Sequence, residues 1–235
     1  MIGQTGYGRQ AREEGGEVDA RASRAAAGAM MPSRGSPTRE EILRAARTVF
    51  GKKGYLETRV EDILNESGVS RGTFYYYFRN KRDLFKQLIE SVVQEMLEEA
   101  TRPTGVDDRY AKIAVRNRGF LEVWAANADV LRSLFQLSVI DDEFAQLHRE
   151  LRLKFISRIE ERLARDVANG TCRALDPKIA ARALGAMVDW FAFLWLAARE
   201  FQFPHRDLDA VSEELSDLWY HAVYGRSDRS ERAAP

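Results

Sequence analysis

Only one cysteine, Cys172, and three histidines, His148, His205 and His221, occur in the 235 residues. A lone thiol excludes an internal disulfide and fits a reducing, intracellular setting. The three scattered imidazoles show none of the spacings of a metal site, so no metal is expected. Net charge is lacking as well: Lys and Arg number 36, Asp and Glu 36. That balance excludes a uniformly basic protein, but a small local patch is enough to bind DNA. The N-terminus lacks the uninterrupted apolar stretch of a signal peptide. The most apolar run, Ala183–Ala198, is short for a membrane span, contains Asp189 and is flanked by Arg182 and Arg199. It is expected to be a buried core helix, with no membrane partner. β-branched clusters and sustained period-2 alternation are missing too, which leaves an all-α class of about nine helices. No catalytic Ser/His/Asp order, P-loop, paired-acid site or Gly-rich nucleotide loop is visible. No catalytic residue and no cofactor are therefore expected.

What is present falls into five stretches. Residues 1–36 are rich in Gly, Ala, Arg and Ser and poor in large apolar residues, so they are expected to form a disordered arm. Arg9, Arg12, Arg21, Arg24 and Arg34 offer phosphates a charge, but Glu13, Glu14, Glu17 and Asp19 nearly cancel them; Met30 or Met31 is an alternative start. Residues 37–82 read as a helix-turn-helix domain and 83–105 as a connecting helix and loop. Residues 106–225 read as a helical ligand-binding and dimerisation domain, and 226–235 as a disordered tail. Breaks are expected at Gly51–Gly54, Glu66–Ser70, Arg79–Asn80, Pro103–Gly105, Asn169–Pro177 and Phe203–Asp207.

The head is the most legible part. Thr38-Arg39-Glu40-Glu41 reads as a capping box, followed by the apolar stripe Ile42, Leu43, Ala45, Ala46, Val49 and Phe50. Lys52-Lys53-Gly54 ends this helix. Thr58-Arg59-Val60-Glu61 reads as a second capping box, with Val60, Ile63 and Leu64 inward. Asn65–Ser70 makes a tight turn in which Gly68 takes a positive φ, Val69 fills the angle and Ser70 caps a third helix. In that helix Phe74 and Phe78 share the inward face, whereas Arg71, Thr73, Tyr75 and Tyr76 lie around the rest. Buried tyrosine hydroxyls need partners, so a tyrosine row on a surface helix suits a DNA reader better than a core. Between Ser67 and Arg82 the charged residues are Arg71, Arg79, Lys81 and Arg82, with no acid, and Asn80 caps a long fourth helix.

Two short capped helices, a Gly turn and a basic aromatic third helix resemble the N-terminal domain of TetR/AcrR-like transcriptional regulators. The matching residues run from Thr38 through Ala45-Ala46, Phe50, Gly54-Tyr55, Thr58, Val60-Glu61-Asp62-Ile63, Ser67-Gly68-Val69-Ser70, Gly72-Thr73-Phe74-Tyr75, Phe78, Asn80-Lys81 and Leu84, about a fifth of the chain. Arg59, where the family often carries a small hydroxyl residue, and Leu64-Asn65, where alanines are common, depart from the pattern. The resemblance implies a homodimer on double-stranded operator DNA, cytoplasmic and associated with the nucleoid. Arg71, Gly72 and Thr73 would enter the major groove, with Ser70 at the helix start. Tyr75 and Tyr76 would touch phosphates or base edges. Thr58 and Lys81 would grip the backbone, and Arg59 would add a phosphate contact. Repression relieved by a small-molecule effector is the implied mode; an activator or a global chromosome-binding protein with the same head is the alternative.

In the body, apolar residues from Phe120 to Leu137 lie at helical spacing around a break near Asn127. A long amphipathic helix follows at 141–168, then helices at 177–202 and 207–224. Aromatics on nearly every face of 177–202 suggest one face in a dimer interface and another in a pocket. An apolar or aromatic effector would meet Phe120, Trp124, Phe135, Phe155 and Trp190, oriented by Asn117 and Asp189. The dimer interface is expected at Phe191, Leu194, Trp195, Leu215, Leu218 and Trp219.

Overall fold

Apolar residues recurring at intervals of three and four run through most of the chain, and the structure answers with helices throughout. The computed structural model describes residues 36–105, 107–203 and 207–225. Most of the arm, the tail and His205 lie outside the described residues. The chain divides into two compact units, Met1–Glu40 and Glu41–Pro235. Of the first, residues 36–40 are described and open a helix.

Eight α-helices follow one another among the described residues: α1 Pro37–Glu57, α2 Val60–Ser67, α3 Arg71–Tyr77, α4 Lys81–Thr101, α5 Arg109–Ile140, α6 Asp142–Ala168, α7 Pro177–Ala192 and α8 Leu208–Tyr224. A π-helical turn, Phe193–Ala198, prolongs α7. The class is all-α as the sequence implies, but several ends differ. Thr38 does not cap α1, because the helix starts at Pro37 and Glu40 N already donates to Ser36 O at 3.1 Å. Proline suits a first helical position, having no amide to leave unpaired. The kink of α1 falls at Gly54, whose φ of 77° only glycine adopts without strain. α2 is capped by Arg59 instead of Thr58: Arg59 N donates to Asp62 Oδ2 at 2.8 Å. Gly68 has φ 69° as expected, and its amide donates to Leu64 O at 2.9 Å to close α2.

The expected break near Asn127 is absent. α5 runs unbroken for 32 residues, and Asn127 Nδ2 bonds back to Val123 O at 2.8 Å. That satisfies the donor without disturbing the helix. The segment expected as one helix to 202 stops being α-helical at Ala192. Its π-turn ends at Arg199, with φ 57°, and Glu200 N reaches back to Leu194 O at 3.0 Å. Pro177–Ala198 is long and apolar enough to cross a membrane by length and composition. Its Ala181, Leu184, Val188, Ala192 and Ala197 are packed inside this protein's own core.

Two apolar clusters hold the second unit. One joins α1–α3 through Ile42, Phe50, Ile63, Phe74 and Phe78 to Leu84, Phe85, Leu88 and Ile89 of α4; it also takes in Val130, Leu134, Leu137, Phe144 and Leu151 of α5 and α6. The other packs Val92 and Met96 of α4 with residues of α5–α8, Trp124 and Trp219 among them. α4 is thus buried in both.

Candidate nucleic-acid interface and ligand cavity

α3 is seven residues long, too short to hold itself, and both ends are tied. Ser70 Oγ accepts from Thr73 N at 3.1 Å and lies 2.8 Å from Thr73 Oγ1. Phe74 and Phe78 are fully buried, whereas Tyr75 and Tyr76 are 48% and 51% exposed. Tyr75 stands edge-on to Phe74, with ring centroids 5.2 Å apart, so its ring is braced while its face meets solvent. Arg71 and Gly72 are exposed at the helix start. Arg71 pairs with Glu61 at 2.5 Å, and that carboxyl is held below the usual range by its own backbone amide and by Arg71. Both partners are exposed, so the pair is screened and easily exchanged for a phosphate. Arg59, at the start of α2, is exposed as well.

The other expected backbone grips are spent inside the protein. Thr58 is 1% exposed and its hydroxyl donates to Gly54 O at 2.7 Å. Lys81 Nζ donates to Tyr55 O at 2.8 Å and Thr58 O at 2.7 Å, and sits 4.4 Å from the centre of the Tyr55 ring. Burial lowers its pKa. The carbonyls that end α1 lack helix partners, and the ammonium satisfies them. Arg82 is held too, though at the surface, by Asp141 and Glu143 at 2.5 Å each, and these bonds raise its pKa; Lys86 joins Glu143 as well. Of the four cations in the acid-free stretch, Arg71 and Arg79 are exposed, Arg82 is at the surface but held by two carboxylates, and Lys81 is turned to the end of α1.

Behind the head, a cavity of about 510 Å³ opens between α4, α5, α6 and α7. Phe120, Trp124, Phe135, Phe155, Asp189 and Trp190 all line it. Trp124 Nε1 donates to Asp189 Oδ1 at 3.2 Å, and burial pushes the Asp189 carboxyl up to about 6. Phe135 lies 4.2 Å from Phe193, which stacks on Trp190 at 5.0 Å. Asn117 is not in this cavity. It lines a smaller one, and its amide donates to Ser216 Oγ of α8 at 3.1 Å. His148 and Arg152 line the main cavity as well, two residues outside the expected set. His148 continues the stripe Phe144, Leu151, Phe155 at helical spacing, which was the available signal. Burial, with Arg152 nearby, pushes its pKa down to about 4, so it is neutral at neutral pH.

Residues 42–88 match the bacterial regulatory proteins of the tetR family. The head is thus similar to the DNA-binding domain of TetR-family transcriptional regulators. Over 74 residues it is 38% identical to the uncharacterized HTH-type transcriptional regulator YfiR of Bacillus subtilis (strain 168), covering 32% of this chain and 36% of that relative. That likeness spans about a third of the relative's length. The Fatty acid metabolism regulator protein of the same organism is 23% identical over 195 residues, covering 81% of this chain and 97% of the relative. Among solved structures, the fatty acid degradation regulator FadR from Bacillus halodurans has a similar fold, with a TM-score of 0.67 at 22% identity over 80% of this chain and 96% of that one.

The residues expected at a dimer interface divide. Leu215 and Trp219 are buried in the protomer's own core, together with Val211 and Val223 on the same face of α8. They are not available to a second chain. Leu218 is 57% exposed, and Phe191, Leu194 and Trp195 are half-buried. Phe191 and Trp195 join Phe201 and Phe203 in an aromatic knot at the end of the π-turn.

Proposed function

We propose that this chain is a TetR-family regulator, a homodimeric repressor that binds a pseudo-palindromic operator through two copies of α3 and leaves it when an apolar or aromatic ligand fills the main cavity. The observation that carries the reading is the division of α3 into a buried Phe74/Phe78 edge and an exposed Arg71/Tyr75/Tyr76 face. Such a face brings hydroxyls to phosphate oxygens and rings to thymine methyls and sugars. Half-site centres one helical turn apart, roughly 34–36 Å, or a near multiple, suit two such helices. The exposed Leu218 and the half-buried Phe191, Leu194 and Trp195 are the dimer contacts in this reading. It acts by binding, not turnover, and in the cytoplasm, where operator DNA is found.

Release follows from α4. Val93 and Met96 face the cavity, whereas Leu84, Phe85, Leu88 and Ile89 on the same helix belong to the head's core. A ligand that prefers one setting of α4 shifts the heads by its difference in affinity for the two states. A gel shift on the DNA upstream of the protein's own gene tests the DNA half. A specific complex is expected, weakened about tenfold or more by Tyr76→Ala, because each lost charge-assisted or aromatic contact is worth about 1–3 kcal/mol. Absence of a specific complex, or one indifferent to Tyr76→Ala, overturns the reading.

A further inference from the structure

Phe120 and Phe155, stacked at 4.9 Å, line the main cavity and also a second one of about 230 Å³. The second cavity has a different chemistry. Arg158, Arg162 and Arg165 fall on one face of α6, at successive intervals of four and three, and Arg116 of α5 faces into the same space. Like charges at such spacing repel each other, and a guanidinium cannot relieve the repulsion by losing its proton. Among the described residues none of the four makes an ion pair. Arg116 Nε is buried without a hydrogen-bond partner. Arg162 is desolvated and beside Arg116, both of which depress its pKa. Asp166 and Tyr224 offset this in part, but neither forms an ion pair with the four arginines. Asp166 is engaged by Tyr224 OH at 2.6 Å and Thr171 Oγ1 at 3.2 Å, and Glu161 lies exposed at the rim. Ile159, Val188 and Trp219 supply an apolar floor that strengthens any charge interaction above it.

Four arginines held together with no carboxylate paired to them are a pre-assembled set of donors with capacity to spare for an acceptor. We propose that this cavity binds a compact, multiply charged oxyanion of the phosphate type, through Arg116, Arg158, Arg162 and Arg165. Guanidinium forks match the edges of a tetrahedral oxyanion, and bringing the anion in removes the mutual repulsion of the arginines. The oxyanion is either a free ion or the head group of an effector whose apolar part lies in the main cavity. The site itself stands apart from the reading of the main cavity, and only the second source rests on it.

Calorimetric titration of the full chain with inorganic pyrophosphate tests the site, with sodium chloride at matched ionic strength as the control. Saturable binding is expected, weakened about tenfold to a hundredfold by Arg162→Gln, since a charge-assisted hydrogen bond is worth roughly 1.5–3 kcal/mol. Arg158 is exposed at the rim, so Arg158→Gln leaves the fold intact and is expected to weaken binding about threefold or more. No saturable binding beyond chloride, or affinities equal within about twofold for wild type and both variants, overturns the proposal. Dodecyl phosphate separates the two sources. Weakening by both Arg162→Gln and Phe135→Ala identifies the head group of an amphiphile, and weakening by Arg162→Gln alone identifies a free ion. Failure of operator binding would leave these titrations unaffected.

Discussion

Arg79 and Lys81 stand two positions apart beyond α3, and in the chain they look interchangeable. Lys81 satisfies the carbonyls of Tyr55 and Thr58, while the Arg79 side chain lies on the surface. The two should therefore fail differently when removed. Arg79→Ala is expected to lower the salt dependence of operator binding by about one phosphate contact per α3, with thermal stability unchanged. Lys81→Met is expected to keep the salt slope and to cost about 1–3 kcal/mol of stability, through carbonyls left without a donor. Binding measured across salt concentrations, beside urea unfolding, checks both. A reduced salt slope for Lys81→Met would return that residue to the DNA backbone. Thr58 belongs with Lys81: its hydroxyl and the ammonium both close the end of α1. Nothing in the local sequence distinguishes a lysine that holds a phosphate from one that holds carbonyls of its own chain, because both sit next to a helix start with a glycine turn nearby.

Among the elements, α4 carries the connection between reader and cavity, and its first turn is fastened to the α5–α6 corner. Arg82 reaches Asp141 and Glu143, Lys86 reaches Glu143, and the Arg82 guanidinium lies 5.0 Å from the centre of the Phe144 ring. Asp141 also caps α6, accepting from Glu143 N at 3.1 Å and Phe144 N at 3.3 Å. One carboxylate thus fixes both a helix start and the position of α4. Arg82→Ala is expected to leave ligand affinity within about twofold while reducing the ligand's effect on operator affinity about fivefold or more, since coupling of this kind commonly spans 5–150-fold. Operator titrations with and without ligand measure that ratio. An unchanged ratio would mean that the packed apolar face of α4 alone transmits the change. The π-turn after α7 is the element least visible beforehand. Its geometry is held by Phe193 against Phe135 and Trp190, a contact between residues far apart in the chain. The aromatic-rich run reads as plain helix from its own periodicity.

At the scale of the whole molecule, Asp189 and His148 share the main cavity and shape its pH dependence in opposite senses. Burial holds the Asp189 proton more tightly in the folded chain, so its contribution to stability is complete below the ordinary value of 3.8 and is lost as pH rises through about 6. Burial disfavours the charged form of His148, so its contribution is complete above 6.5 and is lost as pH falls through about 4. Between pH 4 and 6 the two oppose each other. Asp189→Asn is expected to lose more stability than wild type when pH drops from 6 to 4, and His148→Gln less. Urea midpoints at a series of pH values give the comparison, and two variants that parallel the wild type would remove both groups from the account.

The head follows from the sequence by itself. Its signals are local: Ser70 and Asn80 as caps, Gly68 at positive φ, and Phe74 and Phe78 one turn apart, each fixed by a few neighbouring residues. The tyrosine face on α3 is their direct consequence, since two phenylalanines that must be buried turn Tyr75 and Tyr76 outward. Tertiary structure decided what those signals do not reach. It decided which cations of the basic stretch stay on the surface. It sent Leu215 and Trp219 inward and Leu218 outward, and put Asn117 beside Ser216 instead of in the main cavity. It also gathered four arginines from two helices around one space. In the body, apolar residues occupy so many helix faces that periodicity cannot rank them, and direction is set by which distant helix arrives. The helix-turn-helix half of this chain was therefore legible one turn at a time, whereas its cavities exist only once the helices are packed.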